Sequence, residues 1–168
     1  GSEMCIRDRA QAAPILLDGL SKLEYRGYDS AGIAVQNAAG KIEVVKAKGR
    51  LKVLSEMTDG GNAVHGSCGI GHTRWATHGI PNDINAHPQV SSDGSIAIVH
   101  NGTIENYNIL REALSQHGYT FKSETDTEVL VQLIQYVRDT NNCSLRDAVI
   151  EALQQVVGAY ALSLIHIS

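Results

Sequence analysis

The sequence predicts an α+β domain in which helical and extended layers stack. Three observations carry that prediction. Short apolar runs of strand length crowd the first half of the chain, helical periodicity governs the second half, and one helical stripe precedes the first strand. Spacing alone does not order the strands within a sheet.

The first helix is expected over Ala10 to Leu23, where Ile15, Leu16, Leu20 and Leu23 form an apolar stripe and Pro14 fits only an opening turn. Glu24 to Ser30, with two tyrosines around Gly27, reads as the turn that ends it. Ser30 to Val35 and Lys41 to Lys46 are short β-type runs, and Asn37-Ala38-Ala39-Gly40 between them is a hairpin signal. Arg50 to Met57 suits a short helix stopped by Asp59-Gly60-Gly61-Asn62. Cys68 to Thr73 and Ile96 to His100 are apolar runs of strand length. The connection between them, Arg74 to Ser95, is rich in Gly, Pro, Asn and Asp, and so long a loop inside a domain is usually functional or disordered.

Ile104 to His117 is amphipathic, with Leu110, Ala113 and Leu114 on one side, and stops at Gly118. Asp126 to Arg138 repeats the pattern through Leu130, Leu133, Ile134 and Val137. A last helix is expected over Ser144 to Val157. Its start is marked by Ser144 with Asp147 three positions on, a relative of the capping box.

With 168 residues, 43% of them hydrophobic, the chain buries one ordinary core and is most simply one domain. A net charge of −4 without a Lys/Arg cluster argues against a nucleic-acid surface. Lys41, Lys46, Lys48 and Arg50 are interleaved with apolar residues, as on a solvated face. No apolar run approaches the roughly 20 residues that cross a bilayer, and the charged first nine residues lack a secretory core. Cys5, Cys68 and Cys143 are odd in number and lack ligand spacing, so Cys68 and Cys143 read as small buried hydrophobes in a reducing compartment. A cytoplasmic location follows as the expectation.

Three polar motifs stand out: Gly71-His72-Thr73-Arg74-Trp75-Ala76-Thr77-His78-Gly79, then Asn85-Ala86-His87-Pro88, then His100-Asn101-Gly102. Each adjoins an apolar stretch and gathers hydrogen-bonding side chains in a Gly-punctuated loop, as a site for a small polar molecule requires. Singly they have plainer readings. Asn101-Gly102 suits a turn, Asp126 suits the first turn of a helix, and Trp75 suits a core or an interface. His72, His78, His87 and His100 match no standard metal-ligand spacing, and no metal is expected. His72 and His100 end apolar runs and also suit satisfied histidines near the core.

Together with Leu23-Glu24-Tyr25-Arg26-Gly27-Tyr28-Asp29-Ser30 and Ser123-Glu124-Thr125-Asp126-Thr127-Glu128, these motifs resemble the glutaminase domain of the glutamine–fructose-6-phosphate aminotransferases, from about Ala10 to Ala161. The resemblance implies a four-layer α/β/β/α sandwich of the N-terminal-nucleophile hydrolase type. It also implies hydrolysis of the glutamine side-chain amide, with the ammonia used for glucosamine 6-phosphate synthesis. No cofactor is implied. The implied partners are L-glutamine and a sugar-phosphate isomerase domain, with neither nucleic acid nor membrane, in a parent enzyme expected to be a homo-oligomer.

Glutamine is a zwitterion whose carboxylate wants a forked cation and whose ammonium wants a carboxylate, while the attacked amide needs donors for a developing oxyanion. Arg74, Asp126 and the Asn101-Gly102 pair offer these groups. The resemblance assigns the same roles: Arg74 to the carboxylate, Asp126 to the amino group, Asn101 and Gly102 to the oxyanion hole. It places Thr77 and His78 in a glutamine-covering loop and makes Trp75 a gate for ammonia.

The family's nucleophile is an amino-terminal cysteine in Cys-Gly-Ile-Val-Gly, whose α-amine has a pKa of about 7.7–8.0 and serves as base. Counted back from Leu23, its place falls near Gly1. Cys5 lies about four residues, or roughly 13 Å of strand, from that place and is followed by Ile6-Arg7-Asp8-Arg9 rather than an apolar strand. Both ends resemble translated adapter sequence. Residues 1–9 and 162–168 are therefore expected to be foreign to the domain, residues 10–161 to be a partial glutaminase domain without its isomerase, and the chain as written to be inactive. The alternatives are the glutaminase domain of a phosphoribosyl-pyrophosphate or asparagine-forming amidotransferase, and a glutamine-binding module without chemistry.

Overall fold

Two three-stranded antiparallel sheets lie face to face, each covered on its outer side by helices, in a computed structural model that describes residues 10–75 and 79–167. Cys5, Thr77 and His78 lie outside the described residues. The elements run α1 (Ala12–Ser21), β1 (Ser30–Gln36), β2 (Ile42–Lys48), α2 (Leu51–Met57), β3 (Cys68–Arg74), β4 (Gln89–Val90), β5 (Ile96–Gly102), α3 (Tyr107–Gln116), α4 (Asp126–Asn141), α5 (Leu145–Gln154) and β6 (Tyr160–His166). The first sheet has the order β2-β1-β3 and the second β4-β5-β6. The layer order is α/β/β/α, as expected.

Strand alternation explains the layers. Ile33 and Val35 on β1 join Leu16, Leu17 and Leu20 of α1 and Leu54 of α2 in an outer core. Ile96 and Ile98 of β5 pack with Leu130, Ile134 and Val137 of α4 in the other. The opposite faces meet between the sheets, where Ala34 and Ile70 contact Ala97, Val99 and Ile165. Small residues permit this approach. At Gly32, a Cβ would overlap the His87 carbonyl oxygen and come within 3.0 Å of that of Val45.

The hairpin closes as expected. The Asn37 carboxamide oxygen accepts from the Ala39 and Lys41 amides, and Gly40 takes a φ of 70°. Ser144 caps α5 by accepting from the Asp147 amide at 3.2 Å. Three expectations need correction. The amphipathic helix begins at Tyr107 rather than Ile104, because the Glu105 amide bonds the Val157 carbonyl and the Ile104 amide bonds the Asp126 carboxylate, which leaves Glu105 and Asn106 in a turn ahead of the helix. The long connection contains β4, which is only two residues long and pairs Gln89 with Ile98. Cys68 and Cys143 are half-buried rather than fully buried, since each sits at the margin of a core cluster.

Leu162 to His166, set apart above on sequence grounds, form most of β6 and pair in register with β5. Their alternation serves both faces: Leu162 and Leu164 pack toward the helices, Ile165 toward the other sheet. No helix among the described residues is long and apolar enough to cross a membrane.

Candidate functional site

The period-two rule that buries Ile70 between the sheets also turns His72 and Arg74 inward, because all three lie on the same face of β3. On β5 the same rule carries Asn101 inward with Ala97 and Val99, and sends His100 to the helical side. The two strand ends therefore meet. His72 Nε2 lies 2.8 Å from Asn101 Oδ1, and this contact links the two sheets.

Arg74 is 4% exposed. Its guanidinium lies 3.9 Å from the Asp29 carboxylate, and its carbonyl accepts from the Asp29 amide at 2.8 Å. Burial pulls the guanidinium below its usual pKa, and the carboxylates of Asp29 and Asp126 oppose that shift. Asp126 opens α4. Its Oδ2 accepts from the Ile104 amide at 3.0 Å, which ties the start of the helix to the segment following Gly102. Gly102 has a φ of 111°, and a Cβ there would overlap the Ala159 carbonyl oxygen, so glycine is required twice over. Arg74, Asn101, Gly102 and Asp126 thus gather at one end of the sandwich.

The approach to α4 is fixed by its own residues. Thr125 caps the helix, accepting from the Glu128 amide at 3.2 Å. The buried Glu128 carboxylate accepts in turn from the Lys122 and Ser123 amides at 2.9 and 2.6 Å. Behind the site, His72 stacks on His87 with ring centroids 4.6 Å apart. His87 Nε2 and His100 Nδ1 both reach the Thr127 hydroxyl, at 3.0 and 3.1 Å. Burial holds His72 down at about 4 and His87 well below the ordinary histidine value, so both rings are neutral at pH 7. Among the described residues no cluster of His, Cys, Asp and Glu is arranged to hold a metal ion.

Trp75 stands apart from this buried group. It is 70% exposed, its ring lies over Gly27, and with Leu23, Arg26 and Thr73 it borders a cavity of about 230 Å³. A larger cavity of about 920 Å³, lined by Lys46, Asp83, Gln89, Ser92 and Glu128 among others, includes none of Arg74, Asn101, Gly102 or Asp126. Sequence reasoning missed Asp29 as the partner of Arg74, and Thr127 and His87 as supports. Strand parity counted from Ile70 and Val99 would have turned Arg74 and Asn101 toward each other.

A family profile described as "Glutamine amidotransferase domain" matches residues 58–164. The chain is 55% identical over 157 residues to a glutamine–fructose-6-phosphate aminotransferase (isomerizing) of Clostridium acetobutylicum, covering 94% of this chain and 25% of that protein. It is 54% identical over 155 residues to the protein of the same name from Thermus thermophilus, covering 92% and 25%. Among solved structures it resembles the glutamine phosphoribosylpyrophosphate amidotransferase of B. subtilis complexed with ADP and GMP. There the TM-score is 0.76 at 30% identity, covering 93% of this chain and 33% of that one. The chain therefore spans about a quarter of the length of the curated relatives it matches.

Proposed function

Because this chain belongs to the glutamine amidotransferase domain family, we propose that it is the glutaminase part of an enzyme that uses glutamine nitrogen to make glucosamine 6-phosphate. One observation carries the reading: a buried forked cation, a carboxylate at a helix start and an Asn-Gly pair at a strand end gather at one end of the two sheets. The 55% identity to an aminotransferase, against 30% to the phosphoribosylpyrophosphate enzyme, favours the amino-sugar reaction over the other amidotransferases.

In this reading Arg74 takes the glutamine α-carboxylate and Asp126 the α-ammonium, which fixes the distance from both to the amide carbon. A cysteine thiol attacks that carbon as its α-amine takes the thiol proton. The carbonyl electrons move to oxygen, and the Asn101 Nδ2–H and Gly102 N–H stabilise the resulting oxyanion. Collapse expels ammonia, which takes the proton from the amine, and leaves a thioester. Water hydrolyses the thioester to glutamate and restores the thiol. Thr77 and His78 contribute to glutamine binding, and Trp75 controls where the ammonia goes, toward an isomerase domain elsewhere in the complete protein. The nucleophile is a cysteine at the amino terminus of the complete gene product.

The test is glutamate release from glutamine by that complete product, with fructose 6-phosphate as acceptor. Turnover lost in Asn101→Ala and a raised glutamine KM in Arg74→Ala are the expected results. Wild-type kinetics in both variants would overturn the assignment.

A further inference from the structure

We propose that His72 is a positioning residue that aims the Asn101 carboxamide at the reacting carbonyl. The inference rests on the reading of Asn101 as an oxyanion donor. A carboxamide can turn either end toward a ligand, and only its nitrogen can stabilise an oxyanion. Asn101 Oδ1 lies 2.8 Å from His72 Nε2. A carbonyl oxygen only accepts, so Nε2 carries the proton, and Asn101 Nδ2 is turned away from His72. Reversing the amide would set an N–H group against an N–H group in a site where His72 is 3% exposed.

The ring that imposes this orientation is itself held. His72 stacks on His87 at 4.6 Å with a 37° tilt, and no protein hydrogen bond to Nδ1 is present among the described residues. The single donor of His72 is therefore committed to Asn101. His87 is anchored through Nε2 to Thr127, which also meets His100 Nδ1 and follows Asp126 on the first turn of α4. One buried chain, Asn101–His72–His87–Thr127, thus joins the residue that stabilises the oxyanion to the element that carries the ammonium-binding carboxylate. Burial keeps His72 at about 4, so the ring stays neutral with its proton on Nε2 over the working pH range.

The experiment compares His72→Gln and His72→Met, which are similar in size but differ in the N–H donor, in the complete gene product. Met is expected to lower kcat at least about tenfold, with the glutamine KM changed less than about twofold, while Gln restores most of the turnover. Asn101→Ala alone is expected to cost roughly a hundredfold, and adding His72→Met to it less than about twofold more, because the amide being aimed is gone. If Met lowers turnover as much in the Asn101→Ala background as in the wild type, His72 does not act through Asn101 and the proposal fails. Equal kinetics for Gln and Met would also overturn it. If Asn101→Ala has wild-type turnover, the glutaminase reading of Asn101 falls, and this inference with it. Should Met prevent folding, nitrogen NMR of the unmodified protein decides: a proton on Nε2 of His72 is required, and a proton on Nδ1 would overturn the assignment.

Discussion

Gly32 and His87 meet backbone to backbone: the α-carbon of the first faces the carbonyl oxygen of the second with no room for a methyl group. This contact seats the loop that carries His87 against the middle of β1.

Gly32→Ala should therefore destabilise the domain strongly. The obstructing atoms are the carbonyl oxygens of His87 and Val45, which cannot rotate away as a side chain would. A cost of about 3 kcal/mol or more is expected, measured by denaturant unfolding against the wild type. An unchanged midpoint would mean that the loop does not rest on β1.

Arg74 and Asn101 should separate kinetically. Loss of a charge-assisted bond to a carboxylate costs about 1.5–3 kcal/mol, so Arg74→Ala should raise the glutamine KM about ten- to a hundredfold. Asn101→Ala should act on kcat, since its donor matters once the oxyanion has formed. Steady-state kinetics on both variants check this, and the reverse pattern would exchange their roles.

Acid should weaken the fold through the neutral histidines. His72 has a folded pKa of about 4 against about 6.5 when unfolded, so between these values the unfolded chain binds the extra proton. Its contribution is complete above about pH 6.5 and is lost as pH falls toward about 4, amounting to roughly 3 kcal/mol. His87 acts in the same direction. Unfolding free energies measured from pH 7 to pH 4 should show this decline, and His72→Gln should make it shallower.

Glu128 should prove structural. It accepts from the Lys122 and Ser123 amides just ahead of α4, and Glu128→Ala leaves both donors without that acceptor. A loss of about 2–4 kcal/mol is expected, seen as a fall in Tm of roughly 5–15 °C. A Tm within a degree of the wild type would show that the loop is held by other means.

What the sequence made legible were features repeated along it. The stripe through Leu130, Leu133, Ile134 and Val137 placed α4 because about two successive turns of one helix set apolar residues on the same face. The residue types around Arg74 and Asn101 showed that a polar site was present. What stayed hidden depends on contacts between distant segments. No local pattern says that Ile104 to Asn106 stays out of a helix, because Val157 and Asp126 impose it. β4 is too short to show a period, and it exists because Gln89 and Val90 find β5. The support of Asn101 by His72, and of His87 by Thr127, joins residues that only the folded chain brings together.

The pairing of β5 with β6 fixes an order in time. Ile96 meets His166 across the intervening α3, α4 and α5, whereas β1 meets β2 through a tight hairpin and β3 soon after. During synthesis β1, β2 and β3 of the first sheet are all present long before the second has β6, and contacts between distant segments form slowly. Gly102 pairs with Tyr160, so the Asn101-Gly102 corner is shaped only when β6 leaves the ribosome. A ribosome pausing before residue 160 would hold a nascent chain with Arg74 already on its strand and the Asn101-Gly102 corner still unmade.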